Sequence, residues 1–228
     1  MENVIPKNAI IILSGVSCVG KTTAAYKIIQ RCSVFRRVSE LDIIRTIVRS
    51  VVGNLATDGY LNYDDVEAAY LDLFKSLTIS DFETAKSQSK ILIPYVKEII
   101  LRQQRRNIPT VLEGAGIIPS TYYPNNCPLS WLTSTLVFIN LYLKDEMVHI
   151  ERRCSRCNER DYADTFEETK DMIQKIRNQK NELLHQETLE LSKKFNNIFS
   201  IDVSGMTQDS VADTILKLVY KYYSTLRL

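Results

Sequence analysis

Two glycines stand five residues apart in Gly15-Val16-Ser17-Cys18-Val19-Gly20, and Lys21 and Thr22 follow at once. Every fixed position of G-x-x-x-x-G-K-[ST] is filled, and each residue type has a physical reason to be there. Glycines let the backbone wrap closely round phosphate oxygens. A helix opening after the second glycine offers free N–H groups and partial positive charge to an anion. Lys21 suits the β and γ phosphates of ATP, and the Thr22 hydroxyl suits Mg²⁺. Nucleotide contacts are expected along the whole run from Gly15 to Thr22 and on to Thr23. Cys18 lies inside the loop; it reads as a space-filling residue whose oxidation could inhibit.

Two carboxylates follow segments that read as strands. Asp42 could orient or deprotonate an acceptor hydroxyl, with Arg45 three residues later on the same helical face to hold an anionic acceptor group. The plainer reading of the pair is a helix-capping Asp and a solvated Arg. Glu113 ends another strand-like run. It is a candidate to order Mg²⁺, through water, as a Walker B acid does; the alternative is an ordinary polar strand end.

Arg152, Arg153, Arg156 and Arg160 form a basic stretch. Guanidinium groups there could neutralise charge on a transferring phosphoryl group while closure excludes water. Arg152 and Arg156 share a face at i, i+4, and Arg160 continues it. The alternative is a solvated face balanced by Glu151 and Glu159. Cys154-Ser-Arg-Cys157 lacks the second ligand pair of a structural zinc site, with His149 the one nearby candidate, so free thiols are the better reading. Tyr60, Tyr63 and Tyr70, with Lys86 and Lys90, read as core aromatics and surface lysines rather than as an acceptor pocket.

These residues need elements to hold them. Ala9 to Leu13 is a short, β-branched, continuously apolar run, the mark of a strand buried on both faces. It precedes the glycine loop, and a helix from about Gly20 to Arg31 follows it, which argues against a mere turn. Further strands are expected at Arg36 to Ser39, Pro109 to Glu113, Leu136 to Leu143 and Ile198 to Ile201. Helices are expected from Asp42, over 63–78, 81–106, from Lys144, over Thr165 to Phe195, and over Gln208 to Tyr223. On 81–106 the apolar face reads as Ile91, Leu92, Tyr95, Val96, Ile99 and Ile100. Pro119 to Ser130, rich in Pro and Asn, reads as a loop. Strands alternating with helices imply an α/β fold, a parallel sheet covered on both faces. The chain reads as one domain, 1–228, with a helical insertion at about 54–108 and a lid at about 150–165.

Composition bounds the partners. The 228 residues are 45% hydrophobic and 25% charged, as in a folded globular chain. A net charge of +2 points to no membrane surface and argues against a long nucleic acid. The apolar runs are too short for a membrane span or a signal peptide, and the five cysteines are odd in number, so a reducing cytoplasmic setting is expected. No [NT]-K-x-D guanine signature occurs, and Asn178-Gln-Lys-Asn181 does not supply one. The expected partner is a small-molecule acceptor.

The order strand, Gly-x4-Gly-Lys-Thr, Leu41-Asp42-Ile-Ile-Arg45, then Thr110-Val-Leu-Glu113-Gly-Ala-Gly-Ile-Ile-Pro119, resembles the 2-phosphoglycerate kinase family. That family lies within the nucleoside-monophosphate-kinase-like P-loop kinases. The resemblance covers most of residues 9–220. It implies a three-layer P-loop NTPase fold, a five-stranded parallel sheet in the order 2-3-1-4-5, and an acceptor site between the helical insertion and the Arg-rich lid. It implies ATP and Mg²⁺ as cofactors and phosphoryl transfer to a hydroxyl or phosphate of a small, anionic metabolite. The chain departs from the family where Ala115 and Gly116 replace a bulkier residue and a histidine, which widens the range of acceptors. Two rivals share the loop: a kinase of nucleotide sugars (zeta-toxin-like) or of nucleic-acid ends, and a nucleotide-binding regulatory module without transfer activity.

Overall fold

A computed structural model describes residues 4–57, 82–126, 128–158 and 166–226. Five parallel strands, β1 (Ile10–Ser14), β2 (Arg37–Glu40), β3 (Thr110–Glu113), β4 (Leu136–Tyr142) and β5 (Ile198–Asp202), form one sheet in the order β2-β3-β1-β4-β5. This is the expected topology. β1, β3 and β4 are buried along their whole length, as their near-continuous apolar sequences require. Alternation divides their side chains between two layers. Ile11, Leu13, Val111, Val137 and Ile139 pack against α1 (Lys21–Arg31) and α8 (Gln208–Thr225). Ile10, Ile12, Leu112, Leu136 and Phe138 pack against α3 (Phe82–Arg105) on the other face.

Because every strand runs the same way, their carboxyl ends converge on one edge, where open α/β sheets bind ligands. β1 feeds the glycine loop and α1 there. β2 passes directly into α2 (Leu41–Thr57). The end of β3 is clamped to the start of α2: a Cβ on Gly114 would lie 2.7 Å from Leu41 Cβ, so only glycine fits. β4 leads to α5 (Glu146–Asn158), and β5 to α8, which Thr207 caps by accepting from Ser210 N at 3.1 Å.

Several local readings are corrected. Asp42 does not open α2; β2 extends through Glu40 and the helix begins at Leu41. The buried face of α3 is Ala85, Gln88, Ser89, Leu92, Val96 and Ile100, while Tyr95 is exposed, since the true stripe advances by three and four residues from Ala85. The Pro119–Ser130 loop contains a one-turn helix, α4 (Pro119–Tyr122), seeded by a proline at its first position and pinned by buried Tyr122 against Phe138. The long helical region expected over Thr165–Phe195 is present, as α6 (Phe166–Ile176), a π-turn (Arg177–Asn181) and α7 (Glu182–Ser192). The helix expected over 63–78 lies outside the described residues. No described helix is long and apolar enough to cross a membrane.

Candidate active site

The glycine loop takes the shape its sequence promised. Gly15 has φ +140°, and a Cβ there would meet the Leu141 carbonyl oxygen at 2.5 Å; Gly20 has φ +95°. Both positions exclude side chains for want of space or conformation, leaving a backbone cradle ahead of α1. Lys21 is buried and donates from Nζ to Val16 O at 2.8 Å. Burial lowers its pKa, opposed by the negative charge of Glu113 and Asp42. The ammonium is therefore pre-placed among loop carbonyls and carboxylates.

Thr22 Oγ1 donates to Glu113 Oε1 at 2.8 Å, joining the start of α1 to the end of β3. Burial raises the Glu113 carboxyl pKa, against the pull of Lys21 and the Thr22 hydroxyl. A hydroxyl and a carboxylate oxygen at hydrogen-bond distance, beside a phosphate cradle, are the hard oxygen donors that Mg²⁺ prefers. The residues present fit both the nucleotide and the ion.

Asp42 stands on the first turn of α2. Its Oδ1 is buried with no hydrogen-bond partner among the described residues, and its charge is felt by Lys21 and Glu113. The fold thus brings Lys21, Thr22, Asp42 and Glu113 to one edge of the sheet. Arg45 is half-buried one turn further along α2.

Helix α5 lies against the glycine loop. Arg152 donates from its two terminal nitrogens to Val19 O at 3.1 Å and Val203 O at 3.0 Å, bridging the glycine loop and the β5–α8 turn. Arg152 and Arg156 line a cleft of about 590 Å³ with Cys18 to Ala24, Met206 and Val211. Its size suits a small-molecule ligand, for which clefts of about 300–1,000 Å³ are usual. The positive charge of Arg156 is felt at Lys21. Arg160 lies outside the described residues.

Some residues of the site carried no usable signal in the sequence. His149, weighed only as a metal ligand, is buried and hydrogen-bonded through Nε2 to Ser17 O at 2.8 Å. Its spacing of three from Arg152 was the one available hint. Lys180, on the π-turn, donates to Ala115 O at 2.8 Å, and Ser89 accepts from Ile118 N at 3.3 Å, so the segment after Glu113 is gripped from two sides. Gln88, beside Ser89, is fully buried, and neither its Oε1 nor its Nε2 has a partner among the described residues. A polar chain, buried at its Ser14 end and half-buried at its His185 end, runs from Ser14 to Asn140 (3.2 Å), Asn140 to Ser200 (3.2 Å) and Ser200 to His185 (2.8 Å), and ties the last residue of β1 to β4, β5 and α7.

No protein-family model and no curated protein sequence matches the chain. Solved structures do match. Shikimate kinase from Acinetobacter baumannii in complex with shikimate aligns over 97% of this chain and 98% of its own, with a TM-score of 0.51 at 12% identity. A gluconokinase from Sinorhizobium meliloti 1021 aligns over 97% of each chain, with a TM-score of 0.53 at 15% identity. Both are P-loop kinases of the nucleoside-monophosphate-kinase-like group. The chain shares with them the P-loop NTPase fold, a parallel sheet in the order 2-3-1-4-5 with helices on both faces.

Proposed function

We propose that the protein is an ATP-dependent kinase that transfers the γ-phosphoryl group to a hydroxyl or phosphate of a small, anionic, hydroxylated metabolite. The observation that carries this reading is the convergence of four groups at one sheet edge: Lys21, the Thr22–Glu113 pair and the unpartnered Asp42 oxygen. A module that only binds nucleotide has no use for the last of these. The fold shared with a shikimate kinase and a gluconokinase agrees with a small hydroxylated acceptor.

In this reading the loop amides from Gly15 to Thr23 and the Lys21 ammonium bind the ATP phosphates. Thr22 and Glu113 would hold Mg²⁺, Glu113 through water, and the ion would supply charge neutralisation at the phosphate oxygens. Asp42 Oδ1 accepts the acceptor hydroxyl proton or orients that hydroxyl for in-line attack. Arg45 binds an anionic group of the acceptor, and Arg152 and Arg156 face the charge on the transferring group. Arg160, as the continuation of that face, would join them. Phosphoryl transfer asks little covalent chemistry of a protein, so positioning and charge neutralisation supply most of the catalysis.

The test is incubation of the protein with γ-labelled ATP, Mg²⁺ and a panel that includes glycerate, 2-phosphoglycerate, shikimate, gluconate, nucleosides and nucleotide sugars. Label on one compound, lost in Lys21→Ala, establishes the kinase and its acceptor class. ATP binding without transfer to any compound moves the protein to a regulatory nucleotide-binding role.

A further inference from the structure

Ser17 O is held by a side chain from outside the glycine loop, and this fixes more than one atom. The bond runs to His149 Nε2 at 2.8 Å, across 132 residues of sequence. The chain contains no cis peptide bond among the described residues, and in a trans peptide the C=O and N–H point in opposite directions. Turning the Ser17 carbonyl toward His149 therefore turns the Cys18 N–H away from it. Cys18 itself has φ +65°, a left-handed conformation that residues with a side chain adopt reluctantly. Something must hold that peptide plane, and His149 is placed to do so.

The histidine is well built for the purpose. It is fully buried, and because Ser17 O can only accept, the ring proton sits on Nε2. Nδ1 has no partner. Burial, helped by the charges of Arg177, Arg152 and Lys21, outweighs the Ser17 hydrogen bond and keeps the ring neutral. Three residues along the same helix, Arg152 holds a second loop carbonyl, Val19 O, at 3.1 Å. One face of α5 thus sets two peptide planes of the glycine loop.

We infer that His149 is a positioning residue for nucleotide phosphate binding, acting through the Ser17–Cys18 peptide to aim the Cys18 N–H at a phosphate oxygen. The inference rests on the nucleotide-binding part of the proposed function and adds a residue that never touches the ligand.

Calorimetric titration with ATP·Mg²⁺ of the wild type, His149→Phe and His149→Gln tests it. Phe fills the space without a donor, and Gln restores an N–H. His149→Phe is expected to weaken ATP binding about tenfold or more, the effect of losing one buried hydrogen bond. His149→Gln is expected to recover much of that loss. In turnover assays the KM for ATP should rise in His149→Phe while the acceptor KM stays within twofold. If His149→Phe does not fold, as judged by its melting curve, His149→Met serves as the donor-free variant. ATP affinity within twofold of wild type in the donor-free variant overturns the inference. So does a Gln variant as weak as the Phe variant, because packing rather than the hydrogen bond would then be at work. A wild type that binds no ATP removes the nucleotide reading itself; a wild type that binds it, with unchanged variants, removes only the role of His149.

Discussion

Glu113 and Thr22 are 91 residues apart in sequence and 2.8 Å apart in space, hydroxyl to carboxylate. Parallel pairing of β1 with β3 in register from Ile10 and Thr110 puts the ends of both strands level, so the loop's threonine and the strand's last acid meet. With Glu113→Gln, the carboxylate is lost but the hydrogen bond can remain. Turnover is expected to fall at least tenfold and the Mg²⁺ concentration for half-maximal rate to rise. ATP binding measured without Mg²⁺ should change little. A Mg²⁺ titration of the rate in wild type and variant checks both.

Asp42 offers a sharper distinction between chemistry and binding. Asp42→Asn keeps the shape and removes the proton-accepting charge. The expected outcome is a fall in kcat of about 10²–10⁴ with ATP still raising the melting temperature as in wild type. Equal loss of ATP-induced stabilisation would assign Asp42 to nucleotide binding instead.

His149 should give the protein a pH-dependent stability. Burial lowers its pKa from 6.5 to about 4. Above 6.5 the ring is neutral whether folded or unfolded and contributes no slope. As pH falls from 6.5 toward 4, only the unfolded chain takes up the proton, so stability is lost across that window. The full loss is on the order of 3 kcal/mol. Urea melts between pH 7.5 and 4.5 should show this slope in wild type, and His149→Gln should lack that share of it.

Gln88 is a buried polar side chain with no hydrogen-bond partner among the described residues. Replacement by Met keeps the volume and removes the buried orphan amide. The expected gain is about 1–2 kcal/mol, since an unsatisfied buried polar group costs about 1–3 kcal/mol. Urea denaturation measures it; a loss of similar size would show that an internal water satisfies the amide.

The phosphate loop was legible because its chemistry is local: four fixed residues within eight positions, a strand before and a helix after. Glu113 and Asp42 were legible because strand ends in a parallel sheet share one edge, whatever the intervening sequence does. His149, Lys180 and Gln88 were not. Their roles depend on which surfaces α5, the π-turn and α3 press against, and helical periodicity does not encode a partner 65 or 132 residues away. Tyr95 shows the same limit at short range. An apolar face read from composition can be off by one position, and one position is about 100° round a helix. The loop label on Pro119–Ser130 failed for another reason. Proline is a breaker inside a helix but a good first residue of one, and Tyr122 supplies the burial that makes a single turn worth forming.

The widened turn at Arg177–Asn181 holds one residue more than an ordinary helix would use there. Removing one residue from the turn itself, as in a chance single-codon deletion, would restore an ordinary helix and leave α7 in its present phase relative to α6, so His185 would keep Ser200 and Glu187 would keep Ser120 N. Only Lys180, on the turn, would be placed anew against Ala115. Removing one residue within α6 or α7 would instead turn everything on one side of the gap by about 100°. Related chains should therefore vary in length at this turn more readily than along the two helices it joins.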